Sequence, residues 1–200
     1  MKILILGTDD FIGKNIFRLN SDRVEQELRS QYPYIKSVAI FRGLPNTLKV
    51  EVATRKEALV WEAAGKMYLV DFEGIPFADV TNPLAQAISE RPFPELPLVT
   101  DTRSAPVTVG TTLLRPEFVT FVVTTFSDWQ PTVGMAFSRL LVGETTFHLE
   151  VVTDQGFSVF FDTTRRADRQ LLALKTLLDT HRDKVHEYVD LRVAQKAYVK

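Results

Sequence analysis

Gly7 and Gly13 are the residues that most directly suggest chemistry. They follow an apolar run in MKILILGTDDFIGKNIF. Glycines that close a strand and open a helix let a pyrophosphate approach backbone amides. The middle of this turn holds Asp10. Its carboxylate would repel a diphosphate, and its Cβ adds bulk. The acidic residue that should grip a ribose about 20 positions later is missing, because no Asp or Glu lies between Glu27 and Glu51. Arg42 offers a 2′-phosphate partner instead. Tyr32 and Lys36 have the residue types of a proton-transfer pair, four apart, but lie too early in the chain to face a nicotinamide.

Other candidate sets are thinner. His148, His181 and His186 are the three histidines, with Asp179, Asp183 and Glu187 close to the last two. A metal needs three or four convergent ligands, and a histidine at a helix C-terminus is already favoured by the dipole. Asp9 and Asp10 are adjacent, which is not the facing geometry of acid–base work. No serine sits in a Gly-x-Ser-x-Gly elbow. The absence of cysteine removes thiolate nucleophiles, disulfides and Cys-based metal sites. Phe118, Phe121, Phe126 and Trp129 have helical spacing and read as core. No catalytic, cofactor-binding or metal set is expected, and no cofactor. The reading that keeps an enzyme is an NAD(P)-binding Rossmann-type protein of the extended short-chain dehydrogenase kind, carried by residues 2–17. It needs a crossover helix after its second strand, and Phe41 is instead followed by Gly43–Thr47 and another strand.

The elements that would position these groups follow from periodicity. Ser21 or Asn20 caps a helix with Val24, Leu28 and Gln31 on its inner stripe, ended by Pro33. Residues 37–56 alternate as a hairpin around Pro45-Asn46-Thr47. A second hairpin covers 58–77, with Ala64-Gly65-Lys66 and Glu73-Gly74 as turns. Residues 81–112 are rich in Pro and Thr and read as connection, with Leu96–Val99 a short edge strand. Pro116 opens a helix over 116–129. Strands are expected at 137–142, 145–152 and 156–162. Thr164 caps a helix over 166–181 whose inner face carries Leu171, Leu174, Leu177 and Leu178. Residues 187–199 alternate as one long strand, with Tyr188, Asp190, Arg192 and Ala194 on one face. The pattern is α+β with many hairpins, in two units.

Composition sets the outer bounds. A 45% apolar fraction supports packed cores. The net charge of −1 gives no electrostatic case for nucleic acid. Arg165, Arg166 and Arg169 form the one basic cluster, read as solvated arginines at a helix N-terminus. No run reaches the ~20 apolar residues of a membrane span.

The order of motifs resembles the FtsQ/DivIB family of bacterial cell-division proteins. Gly13-Lys14-Asn15-Ile16-Phe17-Arg18-Leu19 is similar to its G-x-N-I-F-x-L. Pro33, Ile35 and Val38 are similar to its P-x-I-x-x-V, and Arg42–Leu48 to its R-x-x-P-x-T-L hairpin. Arg55, Ala58 and Trp61 match its exit into a second domain. Tyr68–Phe77 resembles Y-L-V-D-x-x-G-x-x-F, and Tyr188–Arg192 with Lys196–Lys200 resembles its closing segment.

The resemblance implies a POTRA domain over 1–57, with helices on a short sheet. A mainly antiparallel β-domain with two helices would follow over 58–200. It also implies a membrane helix upstream, and it makes Ile3–Leu6 a candidate helix end in a POTRA domain lacking its first strand. The implied function is non-enzymatic. The protein would be a divisome scaffold at the septum, on the outer side of the cytoplasmic membrane, that recruits or regulates septal peptidoglycan synthesis. The implied partners are FtsB/DivIC-like and FtsL-like small coiled-coil proteins, and possible further divisome members at the POTRA domain. Strand addition at the last strand makes Tyr188, Asp190, Arg192, Ala194, Lys196 and Tyr198 the candidate partner-binding residues. Tyr188 would be the anchor, and Arg192 would meet an acidic side chain.

Overall fold

A computed structural model describes residues 21–43, 47–81, 93 and 95–200. The chain divides into two compact units, 1–56 and 57–200.

In the first unit, helix α1 (Ser21–Gln31) precedes an antiparallel hairpin of β1 (Ile35–Gly43) and β2 (Thr47–Thr54). Leu28, Ile35 and Val38 are its buried core, with Val24, Ile40, Val50 and Val52 against them. Alternation along β1 delivers Val38 and Ile40 to the same side. Gln31, expected on the inner stripe, is exposed, because the chain leaves the helix there toward Pro33. Arg55 Nε donates to the Pro33 carbonyl at 3.1 Å and fixes the end of β2 to the start of β1. The antiparallel hairpin stands where a dinucleotide fold requires a crossover helix. Gly7, Asp9, Asp10 and Gly13 lie outside the described residues, as do Leu44, Pro45 and Asn46 of the hairpin turn.

Among the described residues, the second unit is built on a nine-stranded mixed sheet. Its strands are β3 (Glu57–Ala63), β4 (Lys66–Asp71), β5 (Pro76–Asp79), β6 (Leu98–Asp101), β7 (Phe137–Val142), β8 (His148–Thr153), β9 (Ser158–Asp162), β10 (Tyr188–Asp190) and β11 (Tyr198–Val199). Their order is β11-β10-β9-β8-β7-β6-β3-β4-β5. The pairs β3/β6, β6/β7 and β9/β10 are parallel and the others antiparallel. Helix α2 (Pro116–Val133) joins β6 to β7, and α3 (Ala167–His181) leads from β9 to β10 through a short 3-10 turn, Arg182–Lys184. Both crossovers step the same way along the sheet, so a common hand puts both helices on one face. One continuous core results, built from Trp61, Phe118, Val122, Trp129, Leu149, Phe161, Leu171 and Leu174 with their neighbours.

Several expectations are corrected. The 96–99 segment is not an edge: β6 lies mid-sheet between β3 and β7. Pro97 sits just before it and interrupts nothing, and its carbonyl accepts the Val60 N–H at 2.9 Å. Helix α2 runs on to Val133 despite Pro131, and Gly134, at φ +76°, closes it. Thr164 does not cap α3. The N-cap is Arg166, and Thr164 donates its N–H and hydroxyl to Asp162. The expected 145–152 and 156–162 strands begin later, at His148 and Ser158. The single strand expected at 187–199 is two strands, β10 and β11, joined by a return over 191–197.

Candidate partner-binding edge

The return that splits 187–199 creates the candidate site. Lys196 N–H bonds the Val193 carbonyl at 3.2 Å, and Gln195 takes a left-handed φ of +60°. This turn sends the chain back antiparallel to β10, pairing Val199 with Val189 and Tyr198 with Asp190. Tyr188 and Lys200 exchange N–H···O bonds at 3.1 and 3.2 Å. Antiparallel ladders alternate bonded and non-bonded pairs. Lys200 and Tyr198 therefore point their amides at β10, and Val199 points its N–H and carbonyl outward. Among the described residues β11 is the last strand of the sheet on this side.

Opposite residues share a face. Val189 is fully buried against the helices, and Val199, paired with it, packs on the same side. Tyr188, Asp190 and Tyr198 take the other face. There the Tyr188 ring meets Phe160 edge-on at 6.0 Å, and the Arg192 guanidinium sits 5.1 Å from the same ring. Arg192 is paired within the chain. Its Nε donates to Asp190 Oδ1 at 2.9 Å and its Nη2 to Oδ2 at 2.6 Å. The hydrogen bond from this guanidinium is the chief cause holding the Asp190 carboxyl below the ordinary aspartate range. The main-chain N–H of Arg192 also donates to Asp190, at 2.9 Å, so this carboxylate staples the start of the return.

The six sequence-derived residues are thus divided. Tyr188 is half-buried and Asp190 is stapled, while Tyr198 is 48% exposed on the edge strand. Ala194 is exposed at the turn. Lys196 instead lines a cleft on the helix side. Arg169 and Ala173 of α3 line that cleft too. Local pattern does not reveal them, because they come to this edge through the β9–α3–β10 crossover; the basic cluster at 165–169 signals Arg169 alone. Arg165 bonds Asp162 at 2.9 Å and reaches the Leu191 carbonyl, tying the start of α3 to the end of β10.

The other candidate chemistry does not assemble. His148, His181 and His186 are exposed and on separate elements. Among the described residues no three metal-ligating side chains converge. Tyr32 packs edge-on against Tyr34 at 5.9 Å. No described helix is long and apolar enough to cross a membrane.

A helix-and-hairpin unit followed by a mixed sheet with helices on one face and a short open edge defines the class: a two-module protein of POTRA-plus-β-domain architecture. Known proteins specify it further. Residues 3–55 match the POTRA domain, FtsQ-type, and residues 59–192 match the family "Cell division protein FtsQ/DivIB, C-terminal". The chain belongs to the FtsQ/DivIB family of cell-division proteins. It is 35% identical over 34% of its length to Cell division protein FtsQ of Myxococcus fulvus, covering 24% of that protein. It is 33% identical over 40% of its length to that of Streptomyces bingchenggensis, covering 32%. For that of Rickettsia bellii the figures are 32% identity over 31%, covering 23%. The matched stretch therefore spans about a quarter to a third of these relatives.

Proposed function

We propose that this chain is a non-enzymatic divisome scaffold. In this reading it sits outside the cytoplasmic membrane at the septum, held there by a membrane anchor. It captures FtsB/DivIC-like and FtsL-like proteins and through them recruits or regulates septal peptidoglycan synthesis. Residues 1–57 act as the POTRA domain, open to other divisome members, and residues 58–200 as the partner-binding β-domain. The observation that carries the reading is the β11 edge, where Val199 turns an amide and a carbonyl outward beside an exposed Tyr198. A partner strand completes the ladder there.

Removing 187–200 is a poor test, because Val189 and Leu191 are buried in the core. Val199→Pro is a clean one. Proline at an edge position whose N–H faces outward deletes only that donor, so the fold should survive. Capture of the FtsB/DivIC-like protein from the same genome should fall by about tenfold. Capture at the wild-type level by a folded Val199→Pro protein sinks strand addition.

A further inference from the structure

Two outward main-chain bonds from Val199 gain little net once their exchange with water is counted, and association gives up the partner's translational and rotational freedom. Side chains must therefore supply most of the affinity at so short an edge. On the helix side of β11, α3 and the 191–197 return enclose a cleft of roughly 350 Å³. Ala173, Val193 and Ala197 give it apolar walls, and its charged lining residues are all cationic: Arg165, Arg169 and Lys196. Arg165 is neutralised by Asp162 at 2.9 Å. Nearby Asp168 is held chiefly by Arg166 at 2.5 Å and also feels the charge of Arg169. Arg169 and Lys196 have no carboxylate within ion-pair distance among the described residues. Arg192, the cation expected to meet a partner's acid, is already occupied by Asp190 on the other face.

We infer that this cleft receives a carboxylate side chain of the docked partner strand, held between Arg169 and Lys196. The inference rests on the edge-pairing reading above. A strand added to β11 alternates its side chains between the two faces. The recognised segment therefore carries an acidic residue toward the cleft and, at the next position, an apolar residue toward Tyr198. Arg169 and Lys196 are specificity residues. They favour an acidic strand over a neutral one of equal β-propensity, and they steer the encounter.

The test uses the 200-residue chain and two fluorescein-labelled nine-residue peptides. One alternates glutamate with valine and threonine; its counterpart has glutamine in place of glutamate. Fluorescence anisotropy should show the glutamate peptide binding about fivefold to tenfold more tightly at low salt. The preference should shrink toward parity as added salt screens the exposed pair. Arg169→Gln with Lys196→Gln should bring the two peptides to equal affinity; both side chains are on the surface, so the fold is unaffected. Equal affinity for the two peptides in the wild-type protein overturns the cleft assignment and leaves edge pairing standing. Binding of neither peptide, or binding that survives Val199→Pro, overturns edge pairing and this assignment with it.

Discussion

The two ends of the nine-stranded sheet solve the same problem in opposite ways. At one end β5 begins with Pro76, which has no N–H to offer, and the Pro76 carbonyl is taken by Gly110 N–H at 2.7 Å. The preceding turn is closed too, with Leu113 and Leu114 N–H both on the Gly74 carbonyl. Asp71 Oδ1 accepts Glu73 and Ile75 N–H at 2.9 Å each. At the other end β11 is two residues long, with Val199 facing outward and Tyr198 exposed. A sheet edge is a template for any strand. One edge strand has its first residue covered by its own chain at Pro76, and the other is short, flanked by Lys196 and Lys200, and bordered by a charged cleft. On the edge-pairing proposal, the contrast makes openness at β11 selective: too little ladder to pair with any strand, enough to complete one whose side chains fit.

The strongest way to break this comparison is at the β5 end. Gly74 has φ +77°, and a Cβ there would lie 1.9 Å from the Leu114 carbonyl oxygen. Gly74→Ala combines left-handed strain with a backbone clash. It should cost about 3–4 kcal/mol, read as a lower urea midpoint, with partner affinity at β11 unchanged. A mild effect would mean that the 107–114 segment does not hold the turn before β5. At the open end, Tyr198→Ala should cost partner binding about 2 kcal/mol with little change in melting temperature. The half-buried Tyr188 should lose stability as well as binding when changed to Ala, since its ring packs on Phe160. Equal effects at the two tyrosines would erase the distinction between edge and packing residue.

Gln195→Gly sharpens the turn between the two strands. A non-glycine residue in the left-handed region costs roughly 1–2 kcal/mol, so the substitution should stabilise the protein by about 1 kcal/mol in urea melts. No gain would indicate that the return is held by its staple and not limited by its turn.

The smallest effect concerns that staple. Asp190 is depressed in the folded state, so its contribution is present above the unfolded aspartate value of about 3.9 and lost as pH falls through the lower folded value. Stability measured at pH 7, 4 and 3 should fall more steeply for the wild type than for Asp190→Asn. Parallel curves would show that the Asp190–Arg192 pair adds nothing to the folded state.

Local pattern made much of this molecule legible. Threes and fours in Phe118, Val122 and Trp129, and in Leu171, Leu174 and Leu178, mark two helices that bury those very faces. Alternation in 58–71 marks β3 and β4, with Ala64-Gly65 turning between them. The motif order marks the family. These features depend on residues a few positions apart, so periodicity and turn chemistry suffice.

What the tertiary structure alone decided is non-local. A short strand beside prolines reads as an edge, yet β6 is central because β3 and β7, distant in sequence, both pair with it. The long alternating run at 187–199 gives no sign of breaking, because its turn depends on Gln195 adopting a conformation its residue type disfavours. Only the fold shows that Asp190 already holds Arg192 and that the β9–α3–β10 crossover carries Arg169 to Lys196. Alternation records which face a residue takes; which strand, helix or charge it meets there is set by chain segments that alternation does not contain.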